Sequence, residues 1–156
     1  MKRPILKIYF TESREKNMAF KVLLDANIIL DFTLQRVEYA SARKLIEWVA
    51  AGKIQAFITP SIVHIAGYWL TKEYGSEQAK EVLLTLLAEV QVIDIGHEST
   101  VNALNSKMTD IEDALQYYTA LHHKLDYFIT RDKDLIKAAI PILPAYSPEE
   151  FIKSNL

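Results

Sequence analysis

The chain has 156 residues, of which half are hydrophobic and about a quarter are charged, a size and composition typical of one globular domain. Its formal net charge of −2 argues against a strongly basic nucleic-acid coat protein, whose affinity comes from neutralising many phosphates. The lack of cysteine excludes disulfides, thiolate chemistry and cysteine-based zinc sites. No stretch approaches the ~20 apolar residues that span a bilayer.

Short apolar runs alternate with longer amphipathic ones, which predicts a parallel sheet covered by helices. Pro60 suits the first turn of a helix, and Gly52 and Gly75 suit helix ends. In chain order, the first half is predicted to contain strand Lys21–Asp25, helices Ala26–Thr33 and Tyr39–Ala51, strand Ile54–Thr59, helices Pro60–Tyr74 and Glu77–Glu89, strand Val90–Ile95 and helix Ser99–Ser106.

The last third of the chain carries two helix-start signals. Thr109 and Glu112 have the spacing of a capping box, so a helix should begin at Asp110 and run to about His123. Ser147 followed by Pro148 predicts a final short helix. Between these helices we predict a fourth strand at Tyr127–Thr130, a short helix at Asp132–Ala138, and at best a short last strand bounded by Pro141 and Pro144.

Residues 1–17 lie outside this alternation and carry a net charge of +3, whereas residues 18–156 carry −5. We predict an N-terminal extension over 1–17, of uncertain status because Met18 could equally be the natural start, and a single domain over 18–156. The acidic excess of that domain is the feature to explain.

Acidic residues recur where the predicted strands end, which is where parallel α/β sheets bind ligands. Asp25 follows a buried strand directly, and Asp132 and Asp134 follow the fourth strand. The first turn of a later helix adds Asp110, Glu112 and Asp113, and Asp94 lies near the end of the third strand. Converging carboxylates repel each other, and Mg²⁺ or Mn²⁺, which prefers oxygen ligands, would relieve that repulsion. Helix capping alone also explains Asp110 and Glu112, and Asp94 could be an ordinary strand-end residue.

Three blocks in order resemble the PIN domain, the nuclease fold of VapC-type toxins and several RNA-processing proteins. The first is Leu23-Leu24-Asp25-Ala26-Asn27-Ile28-Ile29-Leu30-Asp31, and Arg36 fits the same subgroup. The second is Asp110-Ile111-Glu112-Asp113-Ala114-Leu115-Gln116-Tyr117, and the third is Ile129-Thr130-Arg131-Asp132-Lys133-Asp134-Leu135. The resemblance extends from about Lys21 to Ile152.

The resemblance implies a three-layer α/β/α sandwich with a central parallel sheet of four or five strands. It also implies metal-dependent cleavage of RNA phosphodiesters by a cytoplasmic protein, the toxin of a bacterial type II toxin–antitoxin pair with a cognate antitoxin and a possible homodimer. On the matching positions, Asp25, Asp113 and Asp132 would be the catalytic acids and would bind Mg²⁺ or Mn²⁺. Auxiliary roles would fall to Asn27, Asp31, Asp110, Thr130 and Asp134, of which Asn27 and Thr130 would orient carboxylates or metal-bound water. Arg131 and Lys133 flank Asp132 and are the best-placed candidates for binding substrate phosphates.

One position departs from the family pattern. Many members carry Glu, and a related subgroup Asn, on the helix after the second strand, where this chain has Ile65. Isoleucine cannot bind metal, so His64 or Ser61 partly substitutes, or metal binding is weaker, or turnover is lost. This departure favours an alternative reading, a catalytically weakened or inactive PIN-like module that binds RNA or a protein partner.

A third class is a different Mg²⁺-dependent phosphate enzyme or a receiver-like signalling domain. A phosphoaspartate hydrolase prefers Asp-x-Asp after the first strand, whereas this chain has Asp25-Ala26-Asn27. A receiver also requires an acidic pair before the first helix, which is not evident. Tyr68, Trp69 and Tyr74 could stack on bases, although aromatic residues on a half-buried helix are more often part of the core.

Overall fold

The structure, a computed structural model, describes residues 19–156; the predicted extension over residues 1–17 lies outside the described residues. A five-stranded, fully parallel sheet with strand order β3-β2-β1-β4-β5 forms the centre. The strands are β1 (Phe20–Leu24), β2 (Ile54–Ile58), β3 (Gln91–Val92), β4 (Tyr127–Ile129) and β5 (Ala145–Tyr146). The helices of the described part are α1 (Ala26–Thr33), α2 (Tyr39–Ala50), α3 (Pro60–Tyr74), α4 (Ser76–Leu87), α5 (His97–Leu104), α6 (Ile111–His122), α7 (Lys133–Ala138) and α8 (Pro148–Ser154).

The strand order reverses direction between β1 and β4. From β1 the chain moves outward through β2 to β3, then returns to pair β4 with the other side of β1 and continues to β5. Right-handed crossovers therefore place α1–α4 on one face of the sheet and α5–α7 on the other. The predicted three-layer α/β/α architecture is confirmed, and its reversal point, where such sheets bind ligands, lies at the carboxyl ends of β1 and β4.

The central strand is buried on both faces, as a sandwiched strand must be. Val22, Leu23 and Leu24 of β1 and Phe128 and Ile129 of β4 are fully inaccessible to solvent. Helix α6 is fixed to this sheet by Tyr117, whose ring packs on Phe128 and whose hydroxyl donates to the Leu143 carbonyl at 2.6 Å. The sheet edge that carries the acidic residues is thus supported by a rigid core.

Two predicted strands differ from those observed. The third was expected over Val90–Ile95 but spans only Gln91–Val92, because its partner β2 ends at Ile58 and Pro60 then starts α3. The last strand lies after Pro144 rather than between the two prolines. A proline has no N–H for the ladder, and the Pro144 carbonyl only accepts from Phe128 N, at 3.0 Å.

The predicted capping box of α6 is wrong by one residue. Asp110, not Thr109, caps the helix, with Oδ1 accepting from the Asp113 backbone N–H at 2.9 Å. The capping box of α8 is confirmed, with Ser147 and Glu150 in reciprocal hydrogen bonds. Within residues 19–156, no helix is long and apolar enough to cross a bilayer.

Candidate active site

Two strand ends meet at the reversal point and bring Asp25 and Asp132 together. The Asp25 backbone N–H donates to the Ile129 carbonyl at 3.0 Å, which joins the ends of β1 and β4. Thr130, fully buried, donates its hydroxyl to Asp25 Oδ2 at 2.7 Å and accepts from the Asp132 backbone N–H at 3.0 Å. The single hydroxyl therefore orients one acidic side chain and anchors the backbone of the other.

Both carboxylates also cap helices. Asp25 Oδ1 accepts from the Ala26 N–H at 2.7 Å at the start of α1. Asp132 Oδ1 accepts from the backbone N–H groups of Asp134 and Leu135 at 2.8 and 3.1 Å at the start of α7. Each capping oxygen therefore lies at a helix N-terminus, a region of positive potential that suits negatively charged groups.

Helix α6 supplies the acidic residues of the opposite side. Asp110 and Asp113 lie at its N-cap and first turn, and both line the same cleft as Asp132. Glu112 Oε1 accepts from Gln116 Nε2 at 3.0 Å. Gln116 is almost wholly buried, and its Oε1 has no partner among the described residues.

These elements enclose a cleft of about 400 Å³. Five of the residues that line it are acidic: Asp25, Asp110, Glu112, Asp113 and Asp132. The other lining residues are Ala26, Asn27, Leu30, Arg36, Ile65 and Trp69. The cleft is therefore acidic on the side of β1, β4 and α6, and apolar along α3.

Burial and mutual repulsion disfavour negative charge in the cleft. Burial raises the pKa of Asp25 above its ordinary 3.8, although the hydrogen bonds from Thr130 and Ala26 oppose that rise. Burial, together with the charges of Asp25, Asp110 and Asp132, raises the pKa of Asp113 to about 7. The pKa of Glu112 is raised by burial and then by the charges of Asp25 and Asp110. Such a cluster is stabilised by protons or by a cation.

The carboxylate oxygens that line the cleft are the kind of ligand that a hard divalent cation prefers. They are not arranged as a closed coordination shell. Within residues 19–156, no group of three His, Asp or Glu side chains is close enough to hold an ion as a ready-made cage. Mg²⁺ keeps several waters and commonly takes only one or two protein carboxylates together with substrate phosphate. The side chains that could hold it are Asp25, Asp113 and Asp132, with Asp110 and Glu112 adjacent.

Arg131 and Asp31 lie outside the cleft and belong to an ion-pair network. Arg131 Nε is 2.8 Å from Asp31 Oδ2, its Nη1 is 2.9 Å from Glu149 Oε1, and its Nη2 donates to Ser41 Oγ at 2.8 Å. The network links α1, α2 and α8 to the end of β4. The structure does not test the substrate-binding role predicted for Arg131 or the auxiliary role predicted for Asp31, and both stay predictions. It shows that the guanidinium of Arg131 contacts other side chains of the protein.

The remaining predicted residues divide between the cleft and its surroundings. Asn27 is exposed and lines the cleft one residue after Ala26. Lys133 and Asp134 are exposed on the first turn of α7 and do not line it. Asp94 lies beyond β3, at the sheet edge, where its carbonyl hydrogen bonds His123 Nε2 at 2.7 Å. The structure thus gathers Asp25, Asn27, Asp110, Asp113 and Asp132.

Helix α3 occupies the place where the family pattern carries a polar residue. Ile65 does line the cleft, so the departure noted in the sequence concerns the site itself. His64 lines a different groove, between α3 and α4, and Ser61 is exposed outside the cleft. Neither His64 nor Ser61 therefore supplies the cleft with the polar group that the family pattern has at the position of Ile65.

Sequence reasoning ranked one residue of the cleft too low and missed another. Trp69 was assigned to the core more readily than to a site, yet it is 43% exposed and lines the cleft one helical turn after Ile65. The i, i+4 spacing of these two residues was the available signal. Gln116, the buried partner of Glu112, was not considered, and its position one turn after Glu112 was the corresponding signal.

An acidic cleft at the reversal point of a parallel sheet, with a strand-end threonine between two aspartates, defines the class of site, and the comparisons identify the family. A family model for the PIN domain matches residues 21–134. The chain belongs to the PIN domain family. A search of curated proteins found no match.

Solved structures share the fold. A toxin–antitoxin complex from Klebsiella pneumoniae matches with a TM-score of 0.62 and 23% identity, over 81% of this chain and 97% of that chain. VapBC2 from Rickettsia felis, bound to a DNA fragment from its promoter, gives 0.59 and 17%, over 82% and 98%. VapC20 from Mycobacterium tuberculosis, described as a sarcin–ricin loop cleaving toxin, gives 0.60 and 12%, over 76% and 95%. At these identities the likeness concerns the fold.

Proposed function

We propose that this protein is an endoribonuclease that uses Mg²⁺ or Mn²⁺ to hydrolyse RNA phosphodiester bonds. The observation that supports the proposal is the convergence of Asp25, Asp113 and Asp132, with Asp110 and Glu112, in one cleft. Membership of the PIN domain family supports a nuclease, and VapC20, which shares the fold, is described as a sarcin–ricin loop cleaving toxin.

The roles of the side chains follow from their contacts. A bound divalent cation would lower the pKa of a coordinated water and neutralise charge on the phosphate. Asp25, Asp113 and Asp132 would hold the cation, and the raised pKa of Asp113 means that it would lose its proton on binding. Thr130 keeps Asp25 oriented, and Asn27 lies where it can orient a water or a phosphate oxygen.

The test is cleavage of structured RNAs by purified protein in Mn²⁺. Asp25→Asn and Asp132→Asn are expected to lower the rate at least a hundredfold, because each removes a charge that contacts the cation. Asp94→Asn is the matched control, since it makes the same substitution on an exposed aspartate outside the cleft. Equal cleavage by all four proteins would contradict the assignment and indicate a contaminating nuclease.

We further propose that the protein is the toxin of a toxin–antitoxin pair in the cytoplasm. The support is the fold shared with VapBC2 and with the Klebsiella toxin–antitoxin complex. A small open reading frame immediately upstream, encoding a DNA-binding antitoxin, is the expected genomic signature. Its product should bind this chain and inhibit RNA cleavage, and light scattering would show whether the free toxin is a homodimer.

For domain organisation, we propose that residues 18–156 form one working unit. A variant beginning at Met18 should keep Mn²⁺-dependent cleavage of RNA. A loss of cleavage in a variant that still folds, judged by circular dichroism, would assign a working role to residues 1–17.

The second candidate is a PIN-like module that binds RNA or a protein partner without turnover. Ile65 favours it, because a hydrocarbon side chain lines the cleft at the place of a polar one. Calorimetric titration with Mn²⁺ distinguishes the two candidates. Binding that disappears in Asp113→Asn supports the nuclease, whereas no binding at millimolar Mn²⁺ supports the inactive module.

A further inference from the structure

One wall of the cleft is an aromatic surface on α3. Trp69 is 43% exposed and lines the cleft beside Ile65. Its helix buries Ile62, Ala66 and Leu70 against the rest of the protein, so Trp69 lies at the border of the buried stripe. A half-exposed tryptophan facing a polar cleft leaves apolar surface that a ligand can cover.

Two cations border this wall. Lys72 Nζ lies 5.3 Å from the centroid of the Trp69 ring and 5.4 Å from that of Tyr68. Arg36 is exposed and lines the cleft. In the part of the chain that the structure describes, neither Lys72 nor Arg36 forms an ion pair with an acidic residue. Arg36 remains available for an anionic group in the cleft, whereas Arg131 is occupied by Asp31 and Glu149. Lys72 lies over the two rings and lines the α3–α4 groove.

We propose that Trp69 is a stacking platform for an unpaired nucleobase of the RNA, next to the phosphate held in the acidic cleft. Arg36, which lines the cleft, contacts a phosphate next to that nucleotide. The inference rests on the proposed ribonuclease function and adds a base subsite to it. A π-face beside cations is the arrangement that binds single-stranded nucleic acid.

This arrangement has a consequence for substrate choice. A paired base is already stacked between its neighbours in the helix, so it reaches Trp69 only after it is released. Stacking accepts any base, because each has a π-face. Trp69 therefore selects for an unpaired nucleotide at the cleavage site and contributes little to the choice among the four bases.

Tryptophan fluorescence tests the contact directly. The chain has two tryptophans, and Trp48 is buried at 5% exposure, so Trp48→Phe leaves Trp69 as the only tryptophan, whose emission can be excited selectively. The probe is a single-stranded RNA hexamer with phosphorothioate linkages, titrated in Mg²⁺, which binds sulfur poorly, so that hydrolysis is slow. We expect saturable quenching by this hexamer and none by an abasic hexamer with the same backbone. Equal quenching by both, or none by either, overturns the proposal.

Substitutions give a second measurement, with affinity for labelled hexamer followed by anisotropy. Trp69→Leu keeps an apolar side chain of the helix but cannot stack, and should weaken binding about 5- to 150-fold, the range for loss of one base stack. Trp69→Tyr should restore most of the affinity. Tyr68→Leu is the matched control, because Tyr68 is exposed on the same helix but lines the α3–α4 groove instead of the cleft. Unchanged affinity in Trp69→Leu, or an equal loss in Tyr68→Leu, overturns the proposal.

The base subsite and the nuclease function fail in different ways. If the wild type cleaves RNA and Trp69→Leu has the same kcat/KM, the base subsite is refuted and the nuclease function stands. The opposite result is that the wild type fails to cleave RNA while the hexamer, but not the abasic strand, quenches Trp69 fluorescence. That result refutes the nuclease function, and the base-binding site stands. Thermal unfolding of each variant confirms that a lost signal is not lost folding.

Discussion

Replacing Asp113 by asparagine is expected to stabilise the metal-free protein, although it removes a proposed metal ligand. Burial and the charges of Asp25, Asp110 and Asp132 raise the pKa of Asp113 from 3.8 to about 7. Between these two pH values the folded protein holds a proton that the unfolded chain has lost. The free energy of unfolding therefore rises, through this group, as the pH falls from 7 towards 3.8, and it is lowest above pH 7. Asparagine removes the charge and with it the penalty.

The magnitude follows from the pKa and the exposure of the side chain. A pKa moved from 3.8 to about 7 corresponds to about 4 kcal/mol if the full shift acts on folding. Asp113 is only half-buried, and solvent screening reduces the figure to about 1–2 kcal/mol. At pH 8 this should raise the melting temperature by about 3–8 °C. The gain should shrink steadily below pH 7 and vanish near pH 4.

The assay is thermal or urea unfolding in EDTA at pH 8 and pH 4, for wild type, Asp113→Asn and the exposed control Asp94→Asn. Added Mn²⁺ should reverse the order at pH 8, because the ion stabilises only a protein that binds it. If Asp113→Asn is no more stable than wild type at pH 8 without metal, the carboxylates do not repel one another as described. An equal gain in Asp94→Asn would indicate a general charge effect instead.

Three further predictions concern the surroundings of the cleft. Thr130→Val should lower Mn²⁺ affinity about 10- to 100-fold by calorimetry, because it removes the hydrogen bond that opposes the rise in the pKa of Asp25; unchanged affinity would show that the hydroxyl has no such role. Ile65→Glu should raise Mn²⁺ affinity on the order of tenfold by adding a carboxylate to the cleft, and weaker binding would mean that the position does not face the ion. Arg131→Gln should lower the free energy of unfolding in urea by about 2 kcal/mol, because buried Asp31 loses its partner. A loss of RNA affinity in that variant without a loss of stability would restore Arg131 as a substrate-binding residue.

Local sequence predicted the residues whose environment is fixed by neighbours in the chain. Asp25 directly follows three buried residues of β1, so its place at the carboxyl end of a central strand could be inferred. The helix start at Pro60 and the helix cap at Ser147 follow the same logic, because a start signal and its helix are adjacent in sequence. The cap of α6 was misplaced because threonine and aspartate are both good caps and stand next to each other.

Contacts between distant segments could not be inferred in this way. Arg131 stands beside Asp132 in sequence, which suggested the cleft, but its guanidinium is drawn to Asp31, 100 residues away, and to Glu149 on α8. Nothing in the spacing places those acids together. Trp69 could not be assigned to the cleft from sequence either. Helical periodicity identifies which residues of α3 are buried, but it does not show which distant segment faces a residue at the edge of that buried stripe.

The residue missing from the family pattern does not leave the cleft short of negative charge. Five carboxylates line it among the described residues, and Glu112, fixed by buried Gln116, lies on the α6 side, opposite the α3 wall of Ile65 and Trp69. What Ile65 removes is a ligand on one particular wall, so an ion in the cleft would be held from β1, β4 and α6. The α3 wall is then free to contact the nucleotide, and the two sides can be tested separately. Substitutions at Asp113 should change Mn²⁺ affinity, whereas substitutions at Trp69 should change RNA affinity and leave Mn²⁺ affinity as it is.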